Sequence, residues 1–287
     1  MRLPRAAALA ATVVASVALL TACAQKETPA ASSPSGSSTD ACANISTVTD
    51  GTLTVGTSNP AYPPYVIDNK PSNGKGFEAA TAYAVAKEMG FSADQVKWVY
   101  APFQALFAPG QKNYDFALNQ ISITPKRERA VTFSDPYYTA ANAVLVLNDS
   151  KYADASSVAD LKDAKFGVQI NTTGQSDVES VVAPTQSVAV FQDTTAGLSA
   201  LKNGQIDAFV TDLPTALYNA AVNVPGTVVG QFPVQEQGAE QWGLAMQKDN
   251  PLEACVNQAL TTLNDNGELQ QITDKWMSEY SKAPVLS

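Results

Sequence analysis

Short apolar segments with the pattern of β-strands alternate with helical segments over most of the chain, and this alternation limits the folds available to it. The strand segments are Thr52–Gly56, Val96–Tyr100, Asp115–Leu118, Asn142–Leu147, Lys165–Ile170, Ser187–Phe191 and Ile206–Val210. Helical patterns occur in the Ala-rich segment Phe77–Met89, which ends at Gly90, and in Thr194–Asn203. Strands that alternate with helices predict parallel sheets covered by helices, which is an α/β fold.

Two further helices are predicted near the end of the sequence. Their apolar residues recur at steps of three and four, first at Leu252, Cys255, Val256, Ala259, Leu260 and Leu263, and then at Leu269, Ile272, Trp276 and Tyr280. Each pattern places one apolar stripe on a helix. We therefore expect both helices to pack on the core, with Trp276 and Tyr280 in it.

Two strand segments resemble each other in sequence. Tyr114-Asp115-Phe116-Ala117 follows Gly110, and Ile206-Asp207-Ala208-Phe209 follows Gly204, so an Asp precedes an apolar strand in both. Two similar α/β lobes would explain this echo, and chance is the alternative explanation.

The N-terminal segment has the features of an export signal. Arg2 and Arg5 precede the apolar run 6–20, which is shorter than the roughly 20 residues of a membrane-spanning helix. The run ends in Leu20-Thr21-Ala22-Cys23, which resembles a lipobox. We predict that residues 1–22 are a lipoprotein signal peptide and that Cys23 carries lipid (palmitate). The alternatives are an ordinary signal peptide with an incidental Cys and an uncleaved anchor.

Residues 23–42 are rich in Ser, Pro, Gly and Ala and show no apolar period. Such a composition does not form a core, and it predicts a flexible tether. No other long apolar run occurs, so we expect the lipid to be the sole membrane attachment of an extracytoplasmic protein. The location is then the outer face of the membrane or the periplasm.

Two cysteines, Cys42 and Cys255, are left if Cys23 carries lipid. In an oxidising compartment an even pair favours a disulfide, which would close a long loop and add a few kcal/mol of stability. The alternative is that Cys255 is a small buried residue on the apolar face of its helix.

Several kinds of chemistry are excluded or disfavoured by composition. The chain has no His, so Ser-His-Asp and Cys-His sites cannot form and the usual zinc sites are disfavoured. Phosphate-binding Gly-rich motifs are absent from the sequence, and the net charge of −9 argues against nucleic acid as a partner. We expect no enzymatic activity, no cofactor and no metal.

A basic segment after the strand at 115–118 carries the most specific signal. Taken alone, Thr124-Pro125 begins a short helical turn, because Pro suits the first helical position, and the charges fit a solvated surface. The whole string, Ser122-Ile123-Thr124-Pro125-Lys126-Arg127 with Phe133-Ser134-Asp135-Pro136-Tyr137-Tyr138, resembles the signature of the family 3 extracellular solute-binding proteins. The resemblance runs from about Gly51 to Tyr280 and includes Gly76-Phe77-Glu78, Phe166-Gly167-Val168, Gly204–Ala208 and Lys275-Trp276.

This resemblance implies both a fold and a function. The fold is two-lobed and periplasmic-binding-protein-like (type II), with two crossover hinge strands, lobe 1 at 43–141 plus 232–287 and lobe 2 at 142–231. Cys42 and Cys255 then lie on the same lobe, as a bridge requires. The implied function is the substrate-binding component of an ABC importer, which binds an amino acid or close analogue by hinge closure. The implied partner is a transporter permease, and we expect a monomer.

The head-group residues follow from the same resemblance. Arg127 matches the arginine whose planar guanidinium binds the ligand carboxylate through two charge-assisted hydrogen bonds. Ser122 matches a residue that offers its backbone N–H and its hydroxyl to the same group. Gln120 lies one side-chain alternation away, and its alternative role is that of a polar residue at a strand end.

The second half of the implied site lies in lobe 2. Asn171-Thr172-Thr173-Gly174 resembles the family's Gly-Thr-Thr loop, so Thr172 and Thr173 are candidate ligand residues. Asn171 departs from the family's Gly, but Asn tolerates positive φ better than most residues. Asp212 matches the aspartate that pairs with the ligand ammonium, and it also fits a helix N-cap before Leu213-Pro214.

The walls of the implied pocket are aromatic. Tyr62 matches a residue that packs on the ligand side chain, and Phe103 is a candidate for the opposite wall. Tyr65 and Phe77 are expected in the core, whereas Glu78 and Asn59 are candidates to face the cleft.

Two functions of other classes fit the same fold. One is an enzyme that acts on a small carboxylic acid, like the dehydratases that resemble this family, and the other is the ligand-sensing domain of a receptor. Retention of Asp212, which would pair with an ammonium group, favours an amino acid ligand.

Overall fold

Two five-stranded sheets organise the protein in a computed structural model that describes residues 41–234 and 239–287. The predicted signal peptide, the predicted lipobox with Cys23 and most of the predicted tether lie outside the described residues. The strands are β1 Leu53–Thr57, β2 Val96–Tyr100, β3 Phe116–Ala117, β4 Val131–Ala140, β5 Asn142–Leu147, β6 Phe166–Gln169, β7 Ala189–Phe191, β8 Ala208–Asp212, β9 Gly226–Gln231 and β10 Glu240–Gln247.

Eight α-helices are described, together with several shorter turns. The α-helices are α1 Phe77–Glu88, α2 Phe103–Leu106, α3 Pro125–Glu128, α4 Thr173–Asp177, α5 Thr194–Lys202, α6 Leu213–Val222, α7 Glu253–Asp265 and α8 Glu268–Met277. The 3-10 turns are Ile67–Asn69, Pro71–Asn73, Ala93–Gln95, Ala159–Leu161 and Ser278–Tyr280, and a π-helical turn at Val178–Val182 extends α4.

The two sheets have the same strand arrangement. The first has the order β2-β1-β3-β10-β4, with β1, β2 and β3 parallel and β10 antiparallel to β3 and β4. The second has the order β7-β6-β8-β5-β9, with β6, β7 and β8 parallel and β5 antiparallel to β8 and β9. We call the first sheet with its packed helices the first lobe, and the second sheet with its helices the second lobe.

The predicted α/β class is confirmed, but the sheets are mixed rather than parallel. Parallel strands joined by helices account for three strands of each sheet. In each sheet one strand, β10 in the first and β5 in the second, is entered from the other sheet and runs antiparallel to both of its neighbours. The remaining strands, β4 and β9, pair with it at the sheet edge. The sequence patterns did not predict β4, β9 and β10.

The similar segments around Asp115 and Asp207 have equivalent structural roles. Asp115 Oδ2 accepts a hydrogen bond from the backbone N–H of Thr54, which is 2.6 Å away in the neighbouring strand β1. Asp207 Oδ2 accepts one from the backbone N–H of Lys165, at 2.8 Å, just before the neighbouring strand β6. In each lobe the Asp before one parallel strand, β3 or β8, therefore accepts a hydrogen bond from a backbone N–H in or next to the neighbouring strand, β1 or β6.

The core of the first lobe lies between its sheet and helices α1, α7 and α8. It contains Phe77, Val85, Trp242, Val256 and Leu260, all of which are almost fully buried. Trp276 and Tyr280, which we expected in the core, are only partly buried. Trp276 packs against this core, whereas Tyr280 stacks on Tyr218 of α6 in the second lobe.

A disulfide joins Cys42 to Cys255, with 4.8 Å between the Cα atoms. It connects the segment before β1 to helix α7 across a sequence separation of 213 residues. The disulfide therefore fixes the beginning of the described chain to the helical layer of the first lobe.

The chain connects the two lobes at three places. It passes from β4 to β5 at Ala141 and returns between β9 and β10. The final residues then pack on the second lobe: Val285 pairs with Gln231 as a parallel bridge, and Leu286 is 1% exposed in the second lobe's core. The sequence analysis assigned residues 232–287 to the first lobe. The last residues instead pack on the second lobe, because the side chain of Leu286 is buried in that lobe's core.

Helix lengths bear on membrane association. The longest helix in the described residues is α7, with 13 residues. No helix of residues 41–234 and 239–287 has the length and apolar character that a bilayer crossing requires.

Candidate functional site

A cavity of about 440 Å³ lies between the lobes and receives side chains from both. Pockets of this size are typical of small-molecule sites. All eight residues predicted to bind the ligand line it, namely Tyr62, Phe103, Gln120, Ser122, Arg127, Thr172, Thr173 and Asp212. The structure thus brings together residues that are far apart in the sequence.

Arg127 is placed by the short helix α3. Pro125 occupies the first turn, and the Thr124 hydroxyl accepts a hydrogen bond from the Arg127 backbone N–H. This cap starts the helix and directs the arginine inward. Its Nη1 donates to the Ser122 carbonyl at 2.8 Å, and its guanidinium carbon lies 4.2 Å from the centre of the Phe107 ring. The guanidinium is therefore held against an aromatic ring.

The charge of Arg127 is not neutralised by an ion pair with any described carboxylate. The residue is only 7% exposed. Burial lowers its pKa to about 10, and the nearby Glu240 opposes that shift. A buried guanidinium that lines a cavity without an ionic partner is suited to bind an anionic group.

Asp212 lies at the end of β8 and caps helix α6. Its Oδ1 accepts a hydrogen bond from the backbone N–H of Thr215 at 3.0 Å, and the Thr215 hydroxyl donates to Oδ2 at 2.9 Å. The hydroxyl of Tyr65, from the first lobe, also donates to Oδ1. Asp212 therefore caps helix α6 and lines the cavity at the same time, so the two predicted positions are compatible. Burial raises the pKa of this carboxyl group.

The loop before α4 forms the second lobe's side of the cavity. Asn171, which stands where the family has Gly, has a φ of +60°. This is the left-handed conformation, which Asn tolerates better than most residues. Thr172 is the N-cap of α4 and accepts a hydrogen bond from the Gln175 backbone N–H. Thr173 follows as the first helical residue. Asn171 thus adopts at this position the positive φ that Gly takes most easily.

Glu240 is a cavity residue that the sequence analysis missed. Its Oε1 accepts hydrogen bonds from the hydroxyl of Ser122 at 2.5 Å and that of Thr173 at 3.0 Å. Asn142, also missed, donates from Nδ2 to Glu240 Oε2 at 2.8 Å. We expected the hydroxyls of Ser122 and Thr173 to face a ligand. In the structure both hydroxyls instead donate hydrogen bonds to the carboxylate of Glu240.

Gln120 lines the cavity, but its polar groups are bound within the protein. Its backbone N–H and its side-chain amide donate to the two carboxylate oxygens of Glu78, at 2.7 and 2.5 Å. The Asn119 amide donates to the Gln120 side-chain oxygen at 3.0 Å. Gln120 has a φ of +47°, an unfavourable conformation for a residue with a side chain. Glu78 therefore holds this turn, and it lies behind the cavity wall rather than in the wall as we expected.

The electrostatics of Glu78 reflect its complete burial. Desolvation raises its pKa to about 7, and hydrogen bonds from Tyr137 and Gln120 oppose the shift. Tyr137 donates its hydroxyl to Glu78 Oε1 at 2.5 Å. The carboxylate is thus satisfied by neutral donors alone among the hydrogen bonds of the described residues.

The aromatic residues lie at different parts of the cavity. The Tyr62 hydroxyl hydrogen-bonds the Thr195 hydroxyl of the second lobe at 2.6 Å. Phe103 stacks edge-on against Phe107 and lies 5.7 Å from the Arg127 guanidinium carbon. Phe103 therefore supports the arginine as well as lining the cavity.

The missed residues share one sequence signal. Asn142 and Glu240 are the polar first residues of strands β5 and β10, whose following residues are mostly buried and apolar. A polar residue at the start of an apolar strand is a candidate site residue. Which other residue it contacts depends on how the strands cross between the lobes, and the sequence pattern does not show this.

Comparisons with known proteins agree with this architecture. Residues 53–279 match the bacterial extracellular solute-binding proteins, family 3. The arginine-binding periplasmic protein of Mannheimia haemolytica is 30% identical over 76% of this chain and 88% of its own length. The L-cystine-binding protein TcyJ of Escherichia coli K12 is 29% identical over 79% of this chain and 82% of its own.

A solved structure shows the same fold. The arginine-, lysine-, histidine-binding protein ArtJ of Geobacillus stearothermophilus superposes with a TM-score of 0.66 and is 27% identical, covering 80% of this chain and 97% of its own. The two-lobed type II arrangement predicted from the resemblance is therefore confirmed. On the match over residues 53–279 and on these similarities, the chain belongs to the family 3 bacterial extracellular solute-binding proteins.

Proposed function

We propose that this protein captures an amino acid in the cavity between its lobes and delivers it to an ABC importer. The observation that carries the proposal is that one cavity is lined both by Arg127, a buried guanidinium with no ion-pair partner in the described part of the chain, and by Asp212, a partly buried carboxylate. An amino acid carries an acid group and an ammonium group, and a cation and an anion on one lining match both.

Both lobes contribute to the contacts that close this cavity. Arg127 Nη2 donates to the Asn171 carbonyl at 3.0 Å, and Tyr62 of the first lobe hydrogen-bonds Thr195 of the second. Since the head-group residues are divided between the lobes, a ligand that contacts both favours the closed arrangement over the open one. Hinge closure is therefore the proposed mechanism of capture.

The charges of the cavity favour a basic amino acid. Three carboxylate residues among the described lining residues, Asp193, Asp212 and Glu240, face one guanidinium, Arg127. A ligand with an extra positive charge would reduce this imbalance. The names of the relatives include arginine, lysine and histidine, which agrees with the charges, and also cystine, so the family alone does not fix the ligand.

The cavity also has groups that suit a cationic side chain. Asp193 is the N-cap of α5, and the aromatic residues Tyr62, Tyr100 and Phe103 line the same cavity. A guanidinium or ammonium group is attracted both by a carboxylate and by aromatic faces. Arginine and lysine are the ligands that best use all of these residues.

The cellular setting is part of the proposal. Lipid on Cys23 and the tether 23–42 would hold the binding body at the outer side of the cytoplasmic membrane, with a permease as partner and a monomer as the working form. We retain lobe boundaries at 43–141 and 142–231 and assign the last residues, which pack with Leu286, to the second lobe. We expect binding without turnover.

The experiment is a thermal-shift screen of the purified protein against all twenty amino acids, followed by calorimetry. At 100 times the Kd, a ligand adds about 2.7 kcal/mol of stability, which is a shift of several degrees in Tm. Arginine or lysine should give the largest shift, and aspartate and glutamate none. If no amino acid raises the Tm, the proposal fails, and if the bound compound is consumed, an enzymatic function replaces it.

A further inference from the structure

The two strands that carry the chain between the lobes begin with polar residues in equivalent positions. Asn142 is the first residue of β5 and Glu240 is the first residue of β10, and each strand is the fourth in the order of its sheet. The two side chains meet across the lobes, with 2.8 Å between Asn142 Nδ2 and Glu240 Oε2. We call Asn142 and Glu240 the hinge pair.

The hinge pair is connected to both halves of the cavity. Glu240 accepts from the Ser122 hydroxyl of the first lobe at 2.5 Å and from the Thr173 hydroxyl of the second lobe at 3.0 Å. Asn142 Nδ2 also lies 3.1 Å from Thr173 Oγ1 and donates to Asp177 Oδ2 at 2.9 Å. A single carboxylate therefore accepts hydrogen bonds from both lobes.

Burial makes these hydrogen bonds necessary. Asn142 is 5% exposed, and burial raises the pKa of the Glu240 carboxyl group, which the hydrogen bonds from Ser122 and Thr173 oppose. No described Lys or Arg lies within ion-pair distance of Glu240. A largely desolvated carboxylate without an ion pair depends on its hydrogen-bond donors, and here these donors come from both lobes.

The hydroxyl groups of Ser122 and Thr173 are engaged by this arrangement. Each hydroxyl has one hydrogen, and in both residues it is directed to Glu240. In the first lobe, the backbone N–H of Ser122 has no acceptor among the described residues. The acid group of a ligand would then bind Arg127 and backbone N–H groups. Glu240 fixes the positions of Ser122 and Thr173 by accepting hydrogen bonds from their hydroxyl groups.

We propose that Glu240 is a positioning residue which, with Asn142, holds the lobes in the closed arrangement and fixes Ser122 and Thr173 for ligand capture. The ligand readout of this proposal rests on the amino acid binding proposed above, whereas the closure readout does not. Glu240 acts through the lobes and through the two hydroxyl residues, and it need not contact the ligand.

The test compares Glu240→Ala, Glu240→Gln, Asn142→Ala and the double variant Glu240→Ala/Asn142→Ala with the wild type. Glu253→Ala is the matched control, because Glu253 is an exposed glutamate in the first turn of α7 in the same lobe. Calorimetry measures the affinity for the amino acid that gives the largest thermal shift. Small-angle X-ray scattering measures the radius of gyration with and without that ligand.

Glu240→Ala should weaken binding at least tenfold and increase the radius of gyration at subsaturating ligand, whereas Glu253→Ala should match the wild type. Glu240→Gln, which keeps the size and an acceptor oxygen, should restore part of the affinity. The double variant should lose less than the product of the two single losses, because the residues act together. This coupling and the partial rescue are not expected of a residue that only supports the fold.

Two outcomes would overturn the proposal. One is wild-type affinity and wild-type scattering in Glu240→Ala, and the other is independent losses in the two single variants. If Glu240→Ala does not fold, Glu240→Gln and Asn142→Ala decide by the same two readouts. If the wild type binds no amino acid, the proposed function fails, and the ligand-free scattering of the wild type and Glu240→Ala still decides whether Glu240 holds the lobes closed.

Discussion

Nη2 of Arg127 donates to the backbone carbonyl of Asn171 at 3.0 Å, although the two residues belong to different lobes. The arginine that is suited to bind an acid group therefore also contacts the loop that closes over it. Asn171 presents this carbonyl from a left-handed backbone conformation, with a φ of +60°. Head-group recognition and closure consequently depend on the same guanidinium.

Arg127→Ala should weaken amino acid binding by at least about 2 kcal/mol, or roughly 30-fold, because the ligand carboxylate would be buried without a partner. Calorimetry on the folded variant measures the loss. Arg129→Ala is the control, since Arg129 is exposed in the same segment and should leave the affinity unchanged. Equal affinities of Arg127→Ala and the wild type would remove Arg127 from the site.

Asp212→Asn should weaken binding of amino acids at least about tenfold more than binding of analogues that lack the ammonium group. Asn is as good an N-cap as Asp, so helix α6 should be preserved while the charge and one acceptor oxygen are removed. Calorimetry with a ligand and its desamino analogue gives the two losses. Equal losses for both compounds would show that Asp212 does not pair with the ammonium.

Glu78→Gln should change the pH dependence of stability. The pKa of Glu78 is about 7 in the folded protein against 4.5 for the ordinary group, so the folded state binds the proton more tightly and the wild type loses stability as pH rises from about 4.5 to 7. Gln does not titrate, so the stability of the variant relative to the wild type should increase over this window, by at most about 3 kcal/mol.

The measurement is urea unfolding of both proteins at pH 5, 6, 7 and 8. Other carboxyl groups with raised pKa values, such as Asp212 and Glu240, are present in both proteins, so most of their effect on stability cancels in the difference. Two parallel curves of unfolding free energy against pH would contradict the assignment to Glu78.

Leu286→Ala should reduce the free energy of unfolding by about 2–5 kcal/mol, the usual range for a buried Leu. Leu286 is 1% exposed in the core of the second lobe, whereas its neighbour Val285 is 58% exposed. Val285→Ala is therefore the control and should change stability little. If both substitutions have the same small effect in urea unfolding, the C-terminal residues do not contribute to the core.

The sequence predicted the elements whose signals are local. The α1 helix ends at Glu88, close to the end predicted before Gly90, and the short helix predicted to begin at Thr124-Pro125 is present because a cap and a proline determine its start. The cavity lining could be predicted from the resemblance, since Thr172 and Thr173 follow a strand of the second lobe, Asp212 ends one, and all three line the cavity at the start of a helix.

The remaining site residues depend on contacts between distant segments. Glu240 meets Asn142 across 98 positions, and Glu78 binds Gln120 across 42 positions. Neither contact leaves a periodic pattern, because each involves one polar side chain per element. Strand β4 was also not predicted, since its apolar residues are interrupted by Pro136 and do not alternate strictly with polar residues.

The attachment of the C-terminal residues to the second lobe has a mechanical consequence. Two bodies connected by two adjacent strands are able both to swing apart and to twist about the connection, whereas a third link restricts these movements. Here Leu286 N–H donates to the Gln231 carbonyl at 3.0 Å, and Ser281 and Lys282 form the exposed bridge that leads there. Wide opening therefore requires this short segment to bend or the last residues to detach from the second lobe. The length of the segment thus limits how far the two lobes can separate.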